Sequence, residues 1–232
     1  MFCPKCGKEM ANDALKCQAC GTPSAGARAS IAPLMDTAKR TSTDAWSAAR
    51  TFGLNPVGGL SVAFESVGQG RALAVGIAFG ILYDICALLG MYLLIRRNFA
   101  AQFGLYNSEV TLGQFAKLLV MGVVPLVSFA AASFLTRLLF RGRGSIEGDV
   151  FVAGAALVPA ALFWLIAGVL GVGNAEVIFV VAVFVVCYTI LILFTGATRI
   201  SAIPEVAATP AVCTTIIVTL WLAKIVLTAL FV

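Results

Sequence analysis

From Ala72 to Ile95 the chain reads ALAVGIAFGILYDICALLGMYLLI, with a single charge. That is about two dozen residues, enough to cross a ~30 Å hydrocarbon layer as one helix. Four more apolar blocks follow at about 115–140, 150–171, 175–198 and 211–232. With the first, at 72–95, they predict an all-α membrane bundle of five transmembrane helices within residues 55–232. Composition points the same way, since 60% of residues are hydrophobic and 12% charged, against about 25% charged in soluble domains. The apolar residues gather beyond position 71, so a polar N-terminal region stands apart from the membrane part.

The lone charge of the first span, Asp84, falls near its middle, where a carboxylate is costly unless it faces protein or water. Gly76 and Gly80 precede it at helical spacing, on the same face, and small residues there let another helix approach closely. Lys224 is the other ionisable residue well inside a predicted span, the fifth. Both spans run in the same direction and both charges lie near mid-depth, so an Asp84–Lys224 ion pair, direct or through water, is one expectation. In the other, Lys224 reaches outward and Asp84 is neutral or bonded to a hydroxyl such as Thr219 or Thr228. Pro125 and Pro159 are candidate helix breaks in the second and third spans. A break would free carbonyls to line a cavity, whereas a packed helix would merely kink. Cys86, Cys187 and Cys213 read as small packing residues.

The polar region opens with CPKCGKEMANDALKCQACG, in which Cys3/Cys6 and Cys17/Cys20 form two Cys-x-x-Cys pairs, each followed by glycine. Two residues between thiolates let one tight turn present both sulfurs to one ion, and Gly7 and Gly21 supply the positive φ that finishes the turn. Cys3, Cys6, Cys17 and Cys20 together make a closed tetrahedral site suited to structural Zn²⁺ over residues 1–21. A rubredoxin-type iron remains chemically open. A thioredoxin-type motif needs a βαβ setting, and paired disulfides need an oxidising compartment. The segment resembles the small zinc ribbons at the N-termini of many prokaryotic membrane proteins, which usually bind proteins or act as spacers.

Residues 22–54 read as a linker: TPSAGARASIA is a flexible tether, followed either by an interfacial helix with Trp46 and Phe52 at the headgroup level or, because the apolar face is mostly alanine, by a partly ordered linker. Asn55-Pro56 and Gly58-Gly59 break it, and a second short helix from Leu60 leads under the bilayer into the first span. Arg71, Arg137, Arg141, Arg143 and Arg199 outnumber Arg96, Arg97 and Lys117 across the membrane, which favours a cytoplasmic head and an outside C-terminus. Reduced thiolates favour the same orientation.

A soluble N-terminus, an amphipathic approach and five spans with almost nothing after the last resemble the Yip-domain family of integral membrane proteins. The resemblance covers about Asn55 to Val232. It is carried by Leu157-Val158-Pro159 opening a small-residue helix, a tight hairpin, and LILFTGATRI (Leu191–Ile200) ending in a short basic loop. Eukaryotic relatives bind small GTPases and shape transport membranes, so the resemblance implies a fold and a setting and no reaction.

Enzymatic readings fare poorly. Histidine is absent, which removes the commonest general base and the Ser-His and Cys-His pairs. No phosphate-cradling loop ending in Lys-Ser/Thr occurs, and an aspartyl intramembrane protease would need a second buried carboxylate beside Asp84. The expectation is a non-enzymatic scaffold in a prokaryotic cytoplasmic (inner) membrane. Its partners are the lipid bilayer and a cytoplasmic protein held by the ribbon, with a homo-oligomer left open. The +5 charge is spread over head and loops, which disfavours nucleic acid. The alternative is a small solute or ion transporter or channel with Asp84 and Lys224 in its path.

Overall fold

The structure is a computed structural model that describes residues 3, 5–9, 18–20, 25–94, 112–170 and 175–231. It divides into two compact units, Met1–Thr43 and Asp44–Val232. The helices are α1 (Ala25–Leu54), α2 (Pro56–Val67), α3 (Gln69–Leu94), α4 (Leu112–Leu139), α5 (Ile146–Leu170), α6 (Ala175–Thr195) and α7 (Glu205–Phe231). A π-helical turn, Gly196–Ile200, continues α6. Among the described residues, five segments are long and apolar enough to cross a membrane: Gln69–Leu94, Leu119–Leu139, Ile146–Leu170, Glu176–Ile200 and Glu205–Ala229. This is the build of an integral membrane protein.

Helix α5 is the central one: Gly148, Asp149 and every residue from Phe151 to Pro159 are buried. Its small residues make that possible, because helix α3 packs on it backbone to backbone. A Cβ added at Gly154 would strike the carbonyl of Gly76, and one at Gly168 would come within 2.6 Å of Gly90 Cα. Gly154 follows Gly76 by 78 residues, and Gly168 follows Gly90 by the same 78. A constant offset means that α3 and α5 run parallel and in register, over about 21 Å at 1.5 Å per residue. Glycines at the contact allow this approach, and dispersion across it replaces the hydrophobic drive that lipid cannot supply. Gly76 is thus a packing glycine whose partner is the third span. Gly80 instead receives the Leu126 side chain of α4.

Pro125 and Pro159 lie inside the continuous helices α4 and α5, so neither one breaks its span. Proline is tolerated inside a membrane span where its surroundings re-satisfy the backbone groups it frees.

Two expectations for the approach to the membrane need correction. From Ala25 onward the stretch read as a flexible tether is part of α1, in keeping with the helix propensity of Ala25, Ala27, Ala29 and Ala32. Residues 22–24 lie outside the described residues. The second correction concerns Phe52, which is fully buried in the main core and does not sit at a headgroup level. Arg71 pairs with Asp44 at 2.6 Å, and the Phe52 and Phe79 rings meet edge to face at 5.6 Å. Both contacts join residues 27 apart, so the end of α1 runs alongside the start of α3 in the same direction. The α1–α2 elbow therefore lies about 15 Å along α3 from Arg71, roughly half the thickness of a hydrocarbon core.

Sequence chemistry makes the elbow. Asn55 leaves helical geometry and accepts a hydrogen bond from Gly58 N at 2.9 Å, while Pro56 opens α2. Gly59 lets α2 cross the Thr51–Phe52 backbone closely, and Gly68 at φ 76° ends α2. Carbonyls at the end of α1 would be orphaned at that depth. The Tyr188 hydroxyl answers them, shared between Phe52 O and Gly53 O at 2.8 Å each. Tyr188→Phe should therefore lower stability by about 1–3 kcal/mol, read by thermal unfolding in a single detergent. A shift near zero would show that the elbow does not depend on this bond.

Candidate metal centre and buried polar groups

The N-terminal unit holds Cys3, Cys6 and Cys20 with their sulfurs all within 4.8 Å of one another. Cys3 Sγ and Cys20 Sγ are 3.6 Å apart. Four sulfurs at ~2.3 Å from one tetrahedral ion would stand about 3.8 Å apart, so the spacing fits a shared metal. The local turn explains it. Gly7, at φ 68°, donates to Cys3 O at 2.9 Å, and Cys3 N donates to Lys8 O at 2.9 Å. This knuckle aims the Cys3 sulfur at the backbone N–H groups of Lys5 and then Cys6, which hold its thiol below the usual range. A thiol eased toward thiolate is the form that ligates. Cys17, the fourth expected ligand, lies outside the described residues, as does Gly21.

Within the membrane unit, Asp84 and Lys224 are not brought together. The Asp84 carboxyl lies against Gly122 of α4, where any Cβ would collide with it. Its Oδ1 is buried without a hydrogen-bond partner. Lys224 is exposed on α7, and Thr228 donates to its backbone carbonyl at 2.8 Å, not to Asp84. Thr219 Oγ1 is itself buried and unpartnered. Equal depth had suggested a pair, but depth says nothing about which way a helix face turns. A lysine about seven residues from the end of α7 has the reach to carry its ammonium toward the interface.

A different ion pair is buried. Arg137 Nε donates to Asp149 Oδ2 at 2.8 Å, with the side chains 10% and 1% exposed. Ser201 Oγ donates to the other oxygen, Oδ1, at 3.2 Å. The guanidinium also sits 5.3 Å from the centre of the Phe134 ring. Arg137 is in the last turn of α4 and Asp149 in the first turn of α5, so each charge also suits its helix dipole. The loops press together around the pair. Gly144 N donates to Ser201 O at 3.1 Å, and Arg141 and Ala202 take positive φ values of 55° and 50°. This arrangement ties the end of α4, the start of α5 and the turn after α6 into one knot.

In the sequence Arg137 reads as an orientation charge, and no motif there singles out Asp149 as its partner. A signal was present: opposite charges close the second span and open the third, joined by a short loop that returns both to the same side. Thr215 Oγ1 donates to Thr136 Oγ1 at 3.0 Å, adding a hydroxyl tie between α7 and α4. Comparison with protein-family models, curated proteins and solved structures found nothing that matches this chain.

Proposed function

We propose that the chain is a non-enzymatic organiser of a prokaryotic cytoplasmic membrane. Its thiol head holds a structural Zn²⁺ through Cys3, Cys6, Cys17 and Cys20 and docks a cytoplasmic protein partner. The observation that carries this reading is the three-thiol cluster, whose spacing suits one ion and whose four-cysteine set leaves no position open for catalysis. A bundle zipped backbone to backbone suits a scaffold better than a moving carrier. The Yip-domain likeness supplies the setting, and the excess of basic residues on the head's side favours the head inside and the C-terminus outside. Zinc would hold the knuckles by replacing the core that so short a segment lacks.

The purified full chain should contain about one zinc per molecule by elemental analysis, and Cys3→Ser/Cys6→Ser should lose it. Because protons compete with the ion for the thiolates, zinc should leave as pH falls from 7 toward 5. The sign agrees with Cys3, whose lowered thiol value favours the thiolate at higher pH and is overcome as pH falls. A partner captured by the wild type and lost with the double variant would identify the docking protein. Equal zinc content in wild type and double variant would sink the reading.

A second reading, transport of a small solute or ion, draws on the unpartnered Asp84 Oδ1 inside the bundle. It predicts that Asp84→Asn abolishes solute flux into vesicles while leaving zinc content unchanged.

A further inference from the structure

Helices α5 and α6 touch at one end and part at the other. Gly196, just beyond α6, packs on the Val152 side chain, and Thr189 Oγ1 donates to Ala156 O at 3.2 Å. Beyond these contacts the helices enclose a half-open cavity of about 270 Å³ that ends at the α1–α2 elbow. Its walls are Val158, Leu162 and Ile166 on α5 and Val181, Phe184 and Val185 on α6, among others. Tyr188 brings the one polar side-chain atom of the lining, and that hydroxyl is already engaged by Phe52 O and Gly53 O.

Water there would find no free polar partners, and apolar cavities of this kind stay dry. A flexible hydrocarbon chain does fit. The rim is also continuous with the membrane-facing surface, where Phe179 and Val180 are exposed on α6 beside the opening. We propose that this groove is a binding site for one acyl chain of a bilayer lipid, entering sideways between α5 and α6 with its methyl end toward Tyr188. The site needs the five-span bundle but not the head, so it stands whether or not the zinc reading does.

The test uses the full chain in vesicles of phosphatidylethanolamine and phosphatidylglycerol, doped with phosphatidylethanolamine bearing a mid-chain diazirine. After irradiation, peptide mass spectrometry should find labelling of the α5 and α6 lining several-fold above that of the other membrane-facing helices. Val181→Trp, which fills the cavity, should cut that labelling several-fold, while Val180→Trp, on the open face of α6, should leave it unchanged. Ile178→Trp serves as a second filling variant should the first fail to assemble, and the wild-type map requires no variant. Even labelling of all spans, or lining labels that neither filling variant reduces, overturns the proposal. So does a diazirine-bearing residue placed at position 181 that cross-links two copies of the chain.

Discussion

Asp149→Ala should lower the stability of the bundle by about 3–5 kcal/mol, the scale seen when one member of a buried ion pair is removed. The loss is not the strength of one bond. It is chiefly the cost of leaving the Arg137 guanidinium buried with no counter-charge while Ser201 loses its acceptor. Arg137→Ala should be similarly damaging from the other side. Arg137→Met with Asp149→Leu should recover most of the loss, because two apolar side chains of similar size leave no charge to desolvate. Thermal unfolding of wild type, Arg137→Met, Asp149→Leu and the double variant in one detergent forms a double-mutant cycle with an expected coupling of several kcal/mol. Single variants within about 1 kcal/mol of wild type would show that water already reaches the pair.

Gly154→Val should be more disruptive still, preventing most of the chain from forming a monodisperse bundle. A Cβ at that position meets the Gly76 carbonyl, and at Gly76 a Cβ would stand 2.5 Å from Val150 O. The obstacles are main chain, which cannot turn aside as a side-chain tip can. Overpacking typically costs about 1–3 kcal/mol and more when neighbours cannot shift. Gly76→Val should behave alike, because it attacks the same seam from the other helix. Gly70→Ala is the informative control, since nothing lies within 4 Å of its added Cβ. There the gain in helix propensity should leave stability unchanged or slightly raised. Size-exclusion profiles and unfolding midpoints would separate the cases, and a well-folded Gly154→Val would refute the tight seam.

The apolar blocks made the five long helices legible because hydrophobic length alone decides whether a helix can cross a membrane. Helix-face arithmetic likewise marked Gly76 and Gly80 as contact positions, since spacing of four fixes a shared face. What neither could supply was azimuth. Asp84 and Lys224 share a depth but not a direction, and the carboxyl found Gly122 on α4 instead. Phe52 was misplaced because an amphipathic stretch with aromatics reads the same whether it lies on lipid or enters a bundle. The Tyr188 bond that holds its elbow spans 136 residues. Arg137 and Asp149 escaped for a related cause: each looked like an ordinary helix-end charge, and only the closing of three segments buries them. In the head, local spacing was enough to pair Cys3 with Cys6, because a knuckle is formed by neighbours, while Cys20 meets Cys3 from 17 residues away.

The parallel seam of α3 and α5 has a consequence for how the chain is made. Gly154 is synthesised 78 residues after the Gly76 it must cover. At roughly 5–20 residues per second, the glycine face of α3, with Asp84 two turns beyond, waits about 4–16 s in the membrane before its mate emerges. During that interval α4 enters next to it, and any helix with small residues is a competing mate. The newly inserted α3 therefore needs shelter during translation, and slowing the ribosome between α3 and α5 should raise the fraction of misassembled chains.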